Sequence, residues 1–278
     1  MRSRPSFVQD CDVSAADRRA RFRELHAEDR LFLMPNPWDA GSARLLETLG
    51  FEALATTSAG FAWSIGKVDQ TVTRDELVAH VRALAAATPL PLNVDSERCY
   101  PDDPGGVAET VRLLAEAGAA GFSVEDYDPA RDAIDDVEVA AERVRVAAEA
   151  KGDLVLTGRA ENHLHGIDDL DDTIARLIAY RDAGADVVYA PDLTNLEQIA
   201  AVVEAVGVPV NVLARPDGPS VAELASVGVR RVSTGGALAR AAYGALLAAA
   251  QELQEHGTSR YAEHGAPREA LQAAFGGG

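Results

Sequence analysis

DAGADVVYAPD, at residues 182–192, sets a small-residue turn ahead of a short β-branched run. The glycine suits a helix C-terminus, where positive φ favours a residue without Cβ. The apolar run is short and does not alternate cleanly, which is how a parallel strand buried on both faces reads. The unit recurs as EAGAAGFSVED at 116–126, EAVGVPVNVLA at 204–214, ASVGVRRVSTGG at 225–236 and, in looser form, ETLGFEALATTSAG at 47–60.

Between these runs lie segments with apolar residues spaced i, i+3/i+4: Thr73–Ala87, Gly106–Ala117, Val137–Ala150, Leu170–Ala183, Leu196–Ala205 and Val221–Ser226. Thr73 and Glu76 match a capping box. Adding LFLMPN at 31–36, LPLNVD at 90–95 and DLVLTGR at 153–159 brings the strands to eight. Strands alternating with helices predict a parallel sheet, and eight such units predict a closed (β/α)₈ TIM-type barrel. An open doubly wound sheet is the competing arrangement, but no GxGxxG follows any strand. Residues 1–278 read as a single barrel domain with its core over about 28–250. An extra N-terminal helix lies within the first 27 residues. A C-terminal helical extension covers about 238–275, and the Gly-rich end reads as disordered.

At 278 residues with 47% hydrophobic content, the chain can bury a large core. Its net charge of −18 repels nucleic acid and anionic membranes, so neither is expected as a partner. Cys11 and Cys99 cannot build a disulfide framework, which fits a reducing cytoplasm. The N-terminus lacks the apolar core of a signal peptide, and no apolar run reaches membrane-spanning length.

A barrel places its chemistry at the C-terminal strand ends. There stand Thr57-Ser58-Ala59-Gly60, Asp95 with Glu97, Glu125, Arg159, Asn211 and Ser233-Thr234-Gly235-Gly236. Mg²⁺ takes hard oxygen ligands and keeps several waters. Asp95 as direct ligand, with Glu97 and Glu125 holding its waters, meets that need; Mn²⁺ is the alternative ion. Arg159 offers a planar fork for a substrate carboxylate. Thr57 to Gly60 offer backbone N–H groups where glycine permits close approach. Each acid has a blander reading as a loop acid, a cap or a salt-bridge partner. His163 and His165 form an H-x-H pair that lacks a third ligand for zinc.

The two lysines, Lys67 and Lys151, both miss the strand ends, which argues against Schiff-base chemistry. No Ser/His/Asp set and no P-loop appear.

The stretches MPNPWDAGSARLLETLGFEALATTSAGFAWSIGKVDQ, LNVDSE, GFSVED, GRAEN and VPVNVLARPDGPSVAELASVGVRRVSTGGALARA resemble the isocitrate lyase/phosphoenolpyruvate mutase superfamily in order and spacing over residues 28–250. The resemblance implies a Mg²⁺-dependent barrel that makes or breaks C–C or P–C bonds beside a 2-oxo acid through an enolate. It implies Asp95 as metal ligand, Asp69 reaching the metal's waters, and Glu97 and Glu125 in supporting places. Ser58, Ala59 and Gly60 would bind the oxo acid, with Arg159 on its carboxylate and Asn211 nearby. It also implies a homo-oligomer, tetramer or dimer, exchanging a C-terminal helix, for which Leu238–Leu253 is the candidate.

Lyases of this family carry Lys-Lys/Arg-Cys-Gly on the loop after strand four. Here that loop reads Glu125-Asp126-Tyr127-Asp128-Pro129-Ala130-Arg131-Asp132, without Cys or Lys. The Lys-rich loop of the P–C branches is absent too, and the usual Gly-Tyr-Gly after strand three is Cys99-Tyr100-Pro101. Tyr127, Tyr100 or, less readily, Cys99 remain as proton donors. The sequence therefore favours a Mg²⁺-dependent lyase or decarboxylase on a short 2-oxo-carboxylate, oxaloacetate being the simplest case. A methylisocitrate-type lyase with a different acid/base and a non-catalytic 2-oxo-acid-binding protein are the alternatives.

Overall fold

The computed structural model describes residues 13–276. Cys11 and the last two glycines, read above as a disordered end, lie outside the described residues. Eight barrel strands follow in chain order: β1 (Phe32–Met34), β2 (Leu54–Ala55), β3 (Leu92–Asp95), β4 (Gly121–Glu125), β5 (Val155–Arg159), β6 (Val187–Tyr189), β7 (Val210–Leu213) and β8 (Arg231–Ser233). All neighbours are parallel, in the order β1-β8-β7-β6-β5-β4-β3-β2. The helices are α1 (Ala15–Ala27), α2 (Ala40–Thr48), α3 (Ser58–Ser64), α4 (Arg74–Ala87), α5 (Gly106–Ala117), α6 (Val137–Ala150), α7 (Leu170–Asp182), α8 (Leu196–Val206), α9 (Val221–Ser226), α10 (Ala237–His256) and α11 (Arg268–Phe275). This is the (β/α)₈ barrel that the alternation predicts.

The ring is drawn shut between β1 and β2 just past β1, where the Ala55 N–H donates to the Pro35 carbonyl at 3.1 Å. Asn36 completes the closure. Its Nδ2 donates to the Thr56 carbonyl at 2.6 Å, and its Oδ1 accepts from the Thr234 and Gly235 N–H groups at 2.8 and 3.0 Å. One buried amide thus ties β1 to the ends of β2 and β8. Asn36→Ala takes the side-chain partner from one buried carbonyl and two half-buried N–H groups and should cost about 2–4 kcal/mol. Urea unfolding checks this; an unchanged midpoint would mean that the ring closes without Asn36.

The repeat glycines at 50, 118, 184, 207 and 228 all have positive φ, as the sequence unit requires. At Gly118 the requirement is doubled: φ is 102°, and a Cβ there would stand 2.9 Å from the Ala85 Cβ. Two cores result. The larger lies between sheet and helices, where Phe122, Val124 and Leu156 meet Leu114, Val144 and Leu177. The smaller fills the barrel's N-terminal end, where Phe22 and Leu25 of α1 meet Phe32, Val155 and Val187. The lead-in helix is therefore a plug, with its start fixed by a Ser14–Asp17 capping box.

Three features depart from the sequence reading. α2 was not among the predicted helices; it has nine residues, and Gly41 near its start blurs the apolar period. The segment Ser58–Gly60 is the first turn of α3, with Thr57 as its N-cap, a helix the apolar spacing does not predict. The acidic loop after β4 is a small hairpin, Tyr127–Asp128 pairing antiparallel with Ala133–Ile134. In the C-terminal extension, α10 has a single buried residue, Ala239, and leaves Leu246 and Leu247 62% and 63% exposed. Among the described residues no helix is long and apolar enough to cross a membrane.

Candidate active site at the barrel mouth

Strand register decides which side chains meet. Asp95 pairs with Ser123, Glu125 with Arg159, Arg159 with Tyr189, and Tyr189 with Asn211, so these residues form a belt near the C-terminal rim. A cavity of about 210 Å³ opens there, walled by Asp69, Asp95, Arg159, Asn211 and Ser233 with Thr57, Ser58 and Ala59.

Arg159 is the hub. Its Nη1 lies 3.2 Å from Asp95 Oδ1 and 3.2 Å from Glu125 Oε2, and its Nε donates to Glu161. The guanidinium also sits 5.4 Å from the centre of the Tyr189 ring. Besides Arg159, two contacts hold Asp95: its own N–H donates to Thr56 Oγ1 at 2.8 Å, and its Oδ2 accepts from the Ser58 N–H at 3.2 Å. The second loop adds Asp69 and Gln70. The Gln70 side-chain amide donates through Nε2 to Glu125 Oε1 at 2.9 Å, while the Gln70 backbone N–H donates to Asp69 Oδ1 at 3.1 Å.

The carboxylates outnumber their cation. Burial, then the charges of Asp95 and Asp69, push Glu97 up to about 8. Burial and Asp95 raise Asp69. Burial holds Glu125 well above the usual carboxylate range against the pull of Arg159, and lifts Glu161 to about 7. A site that raises its acids in this way has negative charge in excess and oxygen donors to offer. Among the described residues no three His, Cys, Asp or Glu side chains are drawn into a ready cage for a cation. One direct carboxylate, with others at a distance, suits an ion that keeps its own water. The residues fit a hard divalent cation at Asp95.

The family model for phosphoenolpyruvate phosphomutase matches residues 22–254. The chain belongs to this family. A solved candidate lyase/mutase from Burkholderia cenocepacia is 51% identical with a TM-score of 0.89, covering 94% of this chain and 96% of that one. An oxaloacetate decarboxylase of Bradyrhizobium sp. is 31% identical over 225 residues, 77% of this chain and 76% of the relative. A 2-methylisocitrate lyase of Salmonella typhimurium is 28% identical over 198 residues, 68% and 67% of the two chains. The phosphoenolpyruvate phosphomutase family thus carries this chain into the lyase and mutase enzymes of the superfamily seen in its sequence.

Of the residues singled out from the sequence, the structure brings Asp69, Asp95, Arg159, Asn211 and the Thr57–Ala59 segment to one cavity. Glu97 and Glu125 stand beside it, coupled to Asp95 through charge. Gly60 is buried, and its N–H is spent on Thr57 Oγ1 at 3.3 Å. Tyr127 is not brought in: its hydroxyl donates to Asp132 Oδ1 at 2.8 Å and its ring stacks on His165 at 3.8 Å. The Tyr100 hydroxyl donates to the Val72 carbonyl at 3.1 Å, and Cys99 is fully buried, its thiol pushed up to about 12. Sequence reading passed over Glu161, Tyr189 and Arg231. For Glu161 a signal existed, because residues 159 and 161 share a side in an extended GRAEN.

The charge excess yields a sign-definite expectation. The folded pKa of Glu97 is raised, so ionising it costs stability that is intact below its unfolded value near 4.5 and lost as pH rises through about 8. Glu97→Gln should therefore stabilise EDTA-treated protein at pH 8 by about 1–2 kcal/mol, with partial exposure limiting the gain, and by almost nothing at pH 4.5. Denaturant midpoints at both pH values check this. Equal differences at the two would contradict the charge-excess account.

Proposed function

We propose that the protein is a Mg²⁺-dependent carbon–carbon lyase, with Mn²⁺ as an acceptable substitute, acting on a short 2-oxo-carboxylate of the oxaloacetate type. The observation that carries this is the excess of carboxylates around Asp95 at the wall of a small cavity. A bound divalent ion would neutralise that excess and act as Lewis acid toward the 2-oxo and carboxylate oxygens.

The chain's own groups supply the remainder. Arg159 and the Ser58 N–H hold Asp95 in place. Helix first-turn N–H groups lack intrahelical acceptors. In α3 those of Ser58 and Gly60 are taken by Asp95 and Thr57, which leaves Ala59, on the cavity wall, to donate to a substrate oxygen. In oxaloacetate decarboxylation the C3–C4 bond breaks, CO₂ departs, and the electron pair moves into the 2-oxo group as an enolate. A proton from solvent at C3 then gives pyruvate. No base must take a proton from a substrate hydroxyl. That suits a site whose post-β4 hairpin holds Tyr127 away from the cavity and carries neither Lys nor Cys.

Pyruvate release from oxaloacetate in Mg²⁺, compared with free Mg²⁺ and with Asp95→Ala, tests the proposal. A wild-type rate well above both supports it. A rate equal to free Mg²⁺, with oxalate still bound, would leave a binding protein. The exposed face of α10 supports a homo-oligomer in which that helix packs on a second copy; sedimentation of Leu247→Asp against wild type tests it, and equal masses above the monomer would oppose this role for α10.

A further inference from the structure

Arg231 of β8 is buried at 1% exposure, on the wall of the same cavity. Its partners are all neutral. Nε donates to Asn211 Oδ1 at 2.9 Å, and Nη2 to Thr157 Oγ1 at 2.9 Å. Nη1 lies 3.1 Å from His26 Nε2. His26 belongs to the plug helix; its Nδ1 lies 2.7 Å from the Phe22 carbonyl, and burial presses its pKa down to about 3, so the ring is uncharged. Among the described residues no Asp or Glu forms an ion pair with Arg231. Arg159, by contrast, is shared by three carboxylates.

A buried guanidinium stays charged, and leaving it without a counter-ion is costly. Here the positive charge lies behind two polar side chains on the cavity wall. By taking Asn211 Oδ1, the Arg231 Nε turns the amide so that Nδ2 donates to Ser233 Oγ at 2.9 Å, with its second hydrogen still to be placed. The Asn211–Ser233 face is thereby fixed as a donor face backed by a full charge. The Asp69–Asp95 side of the cavity is acidic and suits a cation. The Arg231 side suits an anion.

We propose that Arg231 is a positioning and charge-supplying residue that makes the Asn211–Ser233 face an anion subsite, so that the cavity selects 2-oxo acids bearing a second carboxylate. This rests on the reading of the cavity as a 2-oxo-acid site and narrows it to dicarboxylates. Arg231 acts through Asn211 and through its field, and need not touch the ligand.

The test compares two ligands by calorimetry in saturating Mg²⁺: 3,3-difluoro-oxaloacetate, a decarboxylation-resistant dicarboxylate, and 2-oxobutyrate, which ends in a methyl group. Wild type should prefer the dicarboxylate by roughly tenfold or more, the scale of one charged hydrogen-bonding group. Arg231→Met should lose most of that preference while its affinity for 2-oxobutyrate changes by less than about threefold, since apolar replacement of a buried charge is often tolerated. Arg231→Lys should recover part of the preference. A folded Arg231→Met that keeps the wild-type ratio overturns the proposal and leaves the 2-oxo-acid reading standing. If wild type binds neither ligand, both fail. Should Arg231→Met not fold, ¹⁵N-arginine spectra of wild type decide: the Arg231 Nε–H signal should move with the dicarboxylate and not with 2-oxobutyrate, and the reverse or no movement overturns the proposal.

Discussion

Asp95→Asn is expected to lower kcat/KM for oxaloacetate by at least about 10³-fold, equivalent to roughly 4 kcal/mol of transition-state stabilisation. The substitution keeps size but removes the charge that raises the neighbouring acids, and it leaves one acceptor oxygen where Asp95 uses two, for Arg159 and for the Ser58 N–H. Thr56 Oγ1 can still take the residue's N–H, and the Ser58 N–H can still donate to the amide oxygen. The fold should therefore survive. Without the ion, stability should hold or rise, because Asp95 is one of the charges that raise Glu97, Asp69 and Glu125. The thermal upshift that wild type shows on adding Mg²⁺ should vanish. A variant with near-wild-type turnover would remove Asp95 from the centre of the site; a variant that unfolds would mean that the residue is structural.

The second large effect belongs to Arg159. Arg159→Met strands Asp95, Glu125 and Glu161 without their shared cation in a site where Glu125 and Glu161 are 2% exposed. Breaking a buried ion pair from one side costs about 3–5 kcal/mol. The loss should show as a large fall in the denaturant midpoint at pH 8. It should be much smaller near pH 5, where the acids with raised pKa values take up protons and no longer need a partner. Lysine should restore part of the stability and little of the activity, since a single ammonium cannot serve three carboxylates in the geometry of the guanidinium fork. If the midpoint of Arg159→Met matched wild type at pH 8, the carboxylates would have to find partners elsewhere.

The barrel is legible in the sequence because its decisive signal is local. A glycine that ends a helix and the β-branched run after it fix the place of each helix-to-strand turn within a few residues, and the glycines' positive φ is a backbone requirement independent of packing. Strand-end acids are legible for the same reason: once a strand is placed, its end is known. Side-chain direction is harder. Strands buried on both faces show no polar alternation, so adjacent Arg230 and Arg231 look alike in VRRVSTGG. The fold separates them: Arg230 pairs with Asp29 outside at 2.5 Å, and Arg231 points into the barrel. The hairpin after β4 was hidden because its strands have two residues each, too short for any period, and so the placement of Tyr127 away from the cavity could not be read. α2 was obscured by Gly41, although the reciprocal Asp39–Ser42 cap that starts it is written in the sequence.

The proposed function requires that a divalent ion at Asp95 and a 2-oxo acid in the adjoining cavity bind as a unit. Oxalate, a stable analogue of the pyruvate enolate, measures this by calorimetry with Mg²⁺ and with EDTA. The predicted result is affinity at least about tenfold higher with Mg²⁺, a coupling of roughly 1.4 kcal/mol or more, and loss of that coupling in Asp95→Asn. Equal oxalate affinity with and without Mg²⁺, or a coupling unchanged in Asp95→Asn, would contradict it.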